Sequence, residues 1–272
     1  MMNCKRRIRT GVLDQITPLL ITYDEAPNIA RTVGKLSWAK RIVVIDSGST
    51  DETLDILRGF PQVDVFQRPF SDFASQCNFG LTQIVTPWVL SLDADYELSD
   101  ALVEEIAALR PPDGVVGYRA RFIYRIHGRA LRGTLYPPRV VLYRKDKACY
   151  RNIGHGHRVD IDGAVTPLAG VIYHDDRKPL ARWFASQQRY AQAEARYLIA
   201  TPRAKLKRMG RIRRLGSLSP FAVLFYTLFV EGCILDGWPG WYYALQRLCA
   251  EILSTLELRD LRLRGSKTEA QE

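Results

Sequence analysis

The stretch Leu90-Ser91-Leu92-Asp93-Ala94-Asp95 reads as a buried apolar strand that opens into two carboxylates one residue apart. Strand alternation sends residues i and i+2 to the same side, so both carboxylates are expected to face one cation or one metal-bound phosphate. Like charges this close repel. A divalent cation relieves the repulsion, and an all-oxygen donor set suits Mg2+ or Mn2+ rather than a thiolate-seeking metal. The same acids also read as a turn capping a helix that begins near Ser99, so the flanking sequence has to choose between the two.

Upstream, strand and helix signals alternate. Residues 17–23 (TPLLITY) are apolar and β-prone; Asp24-Glu25-Ala26-Pro27 then breaks the run and places a proline in the first turn of a helix to about Leu36. Residues 41–46 (RIVVID) form a second buried strand, after which Ser49 and Glu52 have the spacing of a capping box for a helix through Leu57. A short strand over 63–66, a helix over 71–84 and the strand over 88–92 follow. Such alternation predicts a mainly parallel mixed sheet with flanking helices, whose ligands sit at the carboxyl ends of the strands. Tyr23, Glu25, Asp46 and Asp93 all fall at such ends.

These residues resemble the inverting glycosyltransferases of family 2, with the nucleotide-sugar-binding GT-A fold. The resemblance is carried by Thr22-Tyr23-Asp24-Glu25, by Val44-Ile45-Asp46-Ser47-Gly48-Ser49-Thr50-Asp51, by Gln76-Cys77-Asn78-Phe79-Gly80-Leu81 and by Trp88-Val89-Leu90-Ser91-Leu92-Asp93-Ala94-Asp95. It covers roughly the first hundred residues. Tyr173-His174-Asp175-Asp176-Arg177 and Leu235-Asp236-Gly237-Trp238-Pro239-Gly240 are similar to the subgroup that glycosylates lipopolysaccharide inner core or related cell-envelope glycolipids. The resemblance implies a GT-A catalytic domain over 1–180, with a nucleotide-sugar half over about 14–110 and an acceptor half over 111–180. A helical, basic and apolar membrane-associating extension over 181–272 completes the chain.

By resemblance, Asp46 hydrogen-bonds the nucleobase and Glu25 the ribose, Thr22 and Tyr23 frame the base, and Gln76 and Asn78 belong to the donor-binding helix. Asp95 holds the divalent cation, with Asp93 turned toward the ribose and His174 as a further metal or diphosphate contact. The bland readings are a helix-entry cap for Asp46 and a structural imidazole for His174. An inverting reaction also needs a base for the acceptor hydroxyl. Similar proteins carry a His-Glu pair before a Val-Asp-Gly turn; here the stretch is Gly154-His155-Gly156-His157-Arg158-Val159-Asp160-Ile161-Asp162-Gly163, with His157 where the carboxylate is expected and Asp160 as the alternative. An imidazole serves as a base near neutral pH. His155 and His157 lack the further close ligand a zinc site needs. The sequence also departs from the family at Asp24, usually Asn, and at Tyr96, often acidic, so donor and nucleotide are not fixed by analogy.

Composition agrees with such an enzyme. A chain of 272 residues that is 47% hydrophobic can bury one large core. Its five cysteines are scattered without a Cys-x-x-Cys pair, which suits a reducing cytoplasm. The basic start (Lys5, Arg6, Arg7, Arg9) is read as unprocessed, because Asp14 and Gln15 interrupt what a signal peptide's apolar core would be.

A formal charge of +10 calls for an anionic partner. Basic residues crowd 118–158, and a second block over 203–214 contains no acid, immediately before the apolar run 220–230 (PFAVLFYTLFV). Solvated surface explains most such runs; an interfacial helix on the anionic inner face of the cytoplasmic membrane explains their adjacency, each nearby basic residue adding about 1 kcal/mol. A buried core helix competes, and the run is short for a span. The expected partners are therefore a nucleotide-sugar donor, a glycolipid or oligosaccharide acceptor and an anionic membrane surface. Nucleic acid is excluded because the acids at the sheet edge would repel phosphates. A nucleotidyltransferase normally has a Gly-rich loop after the first strand, which residues 22–28 lack; a noncatalytic glycan- or lipid-binding relative stays open.

Overall fold

The computed structural model describes residues 11–153, 156–206, 208–216 and 218–269, without the side chains of 153, 156, 157, 208, 215 and 265–269. Lys5, Arg6, Arg7, Arg9, His155 and Lys207 lie outside the described residues. The chain divides into two compact units: unit 1 comprises Met1–Ile123, Tyr136–Asn152 and His157–Arg177, and unit 2 comprises Tyr124–Leu135, Ile153–Gly156 and Lys178–Glu272.

Unit 1 opens with β1 (Ile16–Thr22), α1 (Ile29–Gly34), β2 (Ile42–Asp46), α2 (Thr53–Arg58), β3 (Val63–Gln67), α3 (Phe73–Thr82), β4 (Trp88–Asp93), β5 (Tyr96–Leu98) and α4 (Asp100–Ala108). The strands β6 (Val115–Ile126), β7 (Arg129–Ala130), β8 (Arg139–Arg144), β9 (Ala148–Ile153), β10 (Gly156–Ile161) and β11 (Ala164–His174) follow. The main sheet runs β3-β2-β1-β4-β8-β6-β11-β5, and β9 pairs with β10 in a separate ribbon. Its β3-β2-β1-β4 half is parallel. β8 runs antiparallel to β4 and β6, and β5 antiparallel to β11. This is the mixed α/β architecture that the alternating signals predict.

Helices cover both faces of the parallel half, which is why β2 is buried along its whole length and reads as a continuous apolar run. β3 closes the edge and exposes Asp64, Val65 and Gln67, of which the polar Asp64 and Gln67 blunt an open strand. α3 lies directly on β1: a Cβ at Gly80 would stand 2.5 Å from Leu19 Cδ1, so only glycine permits this approach.

Helix entries show where local signals hold and where they yield. α4 begins as predicted, with Ser99 Oγ accepting from the Leu102 amide at 3.2 Å. The capping box at Ser49 and Glu52 does not form. Ser49 Oγ instead donates to Asp46 at 2.5 Å and accepts from the Asp24 amide at 2.7 Å, and α2 starts only at Thr53, whose amide donates to Asp51. The Asp46 carboxylate and the Asp24 amide together outcompete the helix cap. α3 starts at Phe73 behind the N-cap Asp72.

Unit 2 holds the tip of the β6–β7 hairpin (Tyr124–Leu135), turned through His127 and Gly128 at positive φ, and the helices α5 (Leu180–Ala200), α6 (Arg208–Leu215), α7 (Ser219–Phe225) and α8 (Trp238–Glu269). A π-helical turn (Tyr226–Val230) prolongs α7, and a 3-10 turn (Cys233–Asp236) precedes α8. The hairpin joins this unit because Ile126 and Leu131 pack around Tyr243 and Cys233. Ala195, Leu198, Leu206 and Leu258 form a second small core. Among the described residues no helix is long and apolar enough to cross a membrane. The run 220–230 is not a wholly buried helix either: Pro220, Val223, Thr227 and Leu228 point inward while Phe221, Phe225 and Phe229 point outward. The basic block needs a correction. Arg213 is held by Glu251 and by Glu194 at 3.3 Å, Arg211 donates to the Leu206 and Ala204 carbonyls, and Arg214 to that of Thr201, so these cations serve the fold.

The Asp72 cap is testable. The Ser75 hydroxyl, then the Ser75 amide and Asn152, donate to its carboxylate and hold its pKa at about 2. Asp72→Ala is expected to lower stability by about 1 kcal/mol at pH 7. The folded-state value lies below the unfolded value of about 3.9, so the contribution is full above that pH and fades as the pH falls through about 2. Urea unfolding of both proteins between pH 6 and 2 should show the difference shrinking.

Candidate active site

The loops after β1 and β2 interlock. Asp24 takes a left-handed conformation (φ 50°), and its carboxylate accepts from the Thr50 amide at 2.6 Å and the Asp51 amide at 3.3 Å. Asp and Asn tolerate this conformation better than other L-residues, so Asp24 fills a family Asn position without loss of the turn. Asp46 is wholly buried; it accepts from Thr22 Oγ1 (2.9 Å), the Gly48 amide (3.0 Å) and the Ser49 amide (2.9 Å). Thr22 and Asp46 are thus joined as one unit. Tyr23 stands out at 47% exposure, and Glu25 accepts from Asn28 Nδ2 at 3.0 Å.

On α3, Gln76 is buried and donates to Ser47 Oγ (3.0 Å) and the Arg68 carbonyl (2.9 Å), which ties α3 to the β2 loop. Asn78 faces away from that loop. Its Nδ2 donates to the Tyr150 carbonyl and its Oδ1 accepts from the Tyr150 amide, at 3.0 and 2.9 Å, so its amide clamps β9.

The two carboxylates of the opening stretch do not share one strand. β4 ends at Asp93; Ala94 and Asp95 form a turn, and β5 begins at Tyr96. The turn is pinned from two sides, by Thr32 Oγ1 of α1 donating to the Ala94 carbonyl (2.7 Å) and by the Asp175 amide donating to the Asp95 carbonyl (3.3 Å). The β5–β11 register sets His174 opposite Tyr96, which brings His174 Nε2 to 3.1 Å from Asp95 Oδ2. Asp95 thus meets its imidazole across 79 residues of sequence.

Aromatic rings frame this pair. Tyr96 and Tyr136 present their rings edge-on to His174, at centroid separations of 5.2 and 5.0 Å, and their hydroxyls are hydrogen-bonded to each other. Tyr96 is buried against Phe122, and burial, with Asp93 and Tyr136 beside it, keeps its phenol protonated far above the ordinary range. Tyr136 and Arg139, which sequence reading missed, come from the β8 side: the Arg139 guanidinium lies 4.5 Å over the Tyr136 ring. Arg139 lies within electrostatic reach of Asp93 and Asp95, whose carboxylates favour its charged form against burial. The Pro137-Pro138 break signals a strand start there, but nothing local says which strand it joins.

Burial opposes the charged form of His174, yet the Asp95 carboxylate and its hydrogen bond, with Asp93 and Asp176 nearby, outweigh it and raise the imidazole pKa. Asp175 does not extend this cluster. It is wholly buried and turned onto Arg177 (2.8 Å) and Arg31 (3.5 Å), while Arg31 also holds Glu97 and donates to Asn28 Oδ1 at 2.8 Å. Asp176 accepts from Asn28 Nδ2 at 3.0 Å.

Among the described residues no group of three or more His, Cys, Asp and Glu side chains assembles. A carboxylate and an imidazole 3.1 Å apart still fit Mg2+ or Mn2+, which use few protein ligands and complete their shells with water and phosphate oxygens. Of the two base candidates, Asp160 lies on β10, paired with Arg151 at 3.1 Å and Arg158 at 3.8 Å. The side chain of His157 lies outside the described residues.

A parallel half-sheet whose carboxyl edge carries interlocked acidic loops, followed by an antiparallel half that returns a histidine to the same edge, is the GT-A glycosyltransferase architecture. The chain belongs to glycosyl transferase family 2, whose sequence model matches residues 19–161. It is 24% identical over 268 residues to an uncharacterized glycosyltransferase of Rickettsia prowazekii, covering 93% of this chain and 89% of that one. It is 31% identical over 138 residues to the lipopolysaccharide core biosynthesis glycosyltransferase LpsC of Rhizobium meliloti, 48% of each chain. Glucosyl-3-phosphoglycerate synthase of Mycobacterium tuberculosis, solved with Mn2+, UDP and glucosyl-3-phosphoglycerate, is 17% identical with a TM-score of 0.45, over 73% of this chain and 85% of that one. A likeness that slight bears on neither substrate nor site.

Because Asp95 raises the His174 pKa against the effect of burial, Asp95→Asn should drop it below the wild-type value, as read by NMR titration in the presence of chelator. The sign for stability follows. A raised folded-state value makes the pair's contribution full below the unfolded value of about 6.5 and lost as the pH rises through the folded value. An unchanged titration in Asp95→Asn would refute the coupling.

Proposed function

We propose that this chain is an inverting, divalent-cation-dependent glycosyltransferase that moves a sugar from a nucleoside-diphosphate sugar to a lipopolysaccharide-type or other cell-envelope glycolipid acceptor. The observation that carries the reading is the Asp95–His174 pair at the carboxyl edge of the parallel half-sheet, 3.1 Å apart and bracketed by two tyrosines. The acceptor class draws support from LpsC, which carries the name of a lipopolysaccharide core enzyme.

Asp95 and His174 are the residues to hold Mg2+ or Mn2+, which when bound supplies Lewis-acid stabilisation of the departing diphosphate. The chain's own groups do the rest. The Thr22–Asp46 unit is assigned to the nucleobase and Glu25 to the ribose, with Tyr23 exposed beside them. Asp93 at the end of β4 serves the ribose side. Arg139, its guanidinium face on Tyr136, offers its edge N–H donors to phosphate oxygens. For the base, His157 is preferred over Asp160, because a proton placed on Asp160 would dissolve its ion pairs with Arg151 and Arg158. A glycolipid acceptor places the reaction at a membrane surface, with the enzyme peripheral on the inner face of the cytoplasmic membrane.

Screening nucleotide sugars for Mn2+-dependent turnover tests the donor reading. Asp95→Ala should remove most turnover and metal-dependent nucleotide binding while the protein stays folded; full activity in that variant, or in excess chelator, would sink the metal role. His157→Ala should slow transfer by about 100-fold with donor affinity little changed. Wild-type rates there would pass the role to Asp160.

A further inference from the structure

The positive charge of the chain is not spread evenly. Unit 2 carries 19 Lys and Arg against 8 Asp and Glu, a formal +11, while unit 1 carries 20 against 21. The whole excess therefore belongs to the helical unit. That same unit leaves large apolar side chains in the open. Along α7 and its π turn, Phe221, Phe225 and Phe229 are 69%, 60% and 55% exposed, and the last two rings stack at 5.0 Å. At the start of α8, Trp238, Trp241 and Leu245 are 51%, 45% and 50% exposed at the i, i+3, i+7 spacing of one helix face. α7 and α8 pack against each other, so the aromatic faces belong to two joined elements. At their rim the Arg129 guanidinium lies 5.5 Å over the Trp238 ring.

We infer that unit 2 docks on an anionic lipid bilayer through an aromatic foot of Phe221, Phe225 and Phe229 with Trp238, Trp241 and Leu245. This rests on the peripheral-membrane reading and deepens it, since it names the inserting residues and adds α8, which the run 220–230 alone does not include. Phenylalanine and tryptophan are the side chains that settle at a headgroup boundary, and cations beside them are drawn to anionic lipid. A second copy of this chain is the poorer occupant, because it would bring the same positive unit to the contact. The attraction comes from the charge of the whole unit; Arg213 contributes little of it, being committed to Glu251 and Glu194.

Sedimentation of the full chain with vesicles of phosphatidylglycerol and phosphatidylcholine, against phosphatidylcholine alone, tests the foot. The wild type should bind the anionic vesicles at low salt, with binding weakened at high salt. Phe221→Ser/Phe225→Ser/Phe229→Ser and, separately, Trp238→Ser/Trp241→Ser should each reduce binding at least tenfold, while thermal unfolding and Mn2+-dependent nucleotide binding stay as in the wild type. Absence of wild-type binding, or wild-type binding by both variants, overturns the foot. So does a dimer in analytical ultracentrifugation that the phenylalanine variant abolishes in a protein that ignores vesicles. The outcomes separate cleanly: nucleotide-sugar turnover without vesicle binding strikes only the membrane docking, and vesicle binding without turnover strikes only the enzymatic reading.

Discussion

Crowding of carboxylates at one edge of the sheet is the constraint on which the site depends. Asp24, Asp46, Asp51, Asp93, Asp95, Glu97, Asp175 and Asp176 all sit at or just beyond strand ends, and unscreened they would drive the loops apart. The fold gives most of them dedicated donors. Asp24 and Asp46 take backbone amides and hydroxyls of the loop over 46–51, Glu97 and Asp175 take Arg31, Asp175 also takes Arg177, and Asp176 takes Asn28. Asp95 alone is answered by an imidazole. That choice matters chemically, because a histidine gives up its proton and joins the carboxylate as a metal ligand, which a guanidinium never does.

The division of labour between α1 and β11 follows from the same constraint. α1 is only six residues long, but Arg31 and Thr32 on successive positions grip opposite sides of the turn: Arg31 the end of β11, Thr32 the Ala94 carbonyl. The Asp95–His174 separation is thereby set by backbone contacts rather than by the flexibility of either side chain.

What the sequence discloses depends on how local the cause is. The runs read over 17–23 and 41–46 announce strands, found at Ile16–Thr22 and Ile42–Asp46, because both faces are covered and the short apolar, β-branched stretches end at turn residues. Asp95 and His174 are found by motif, yet their pairing needs the β5–β11 register. Tyr136 and Arg139 carry no local mark, since β8 inserts beside β4 out of chain order. Ser49 misleads because its hydroxyl is taken by Asp46, three residues back, and by the distant Asp24 amide, which together beat a helix cap. Arg213 misleads in the opposite sense: in a run of basic residues it looks solvated, and Glu251, 38 residues away, together with Glu194 makes it internal.

The partition of charge gives the two units different electrostatic tasks. Unit 1, close to neutral, concentrates its acids at one sheet edge, and a large positive field there would compete with any bound cation for the same carboxylates. Unit 2 has no such restriction and carries the excess. An enzyme whose acceptor is a lipid benefits from this arrangement, because attraction to an anionic surface raises the local acceptor concentration without altering the chemistry of the site. Had the same cations been placed on β4 or β11, they would have competed with any divalent ion for the Asp95 carboxylate.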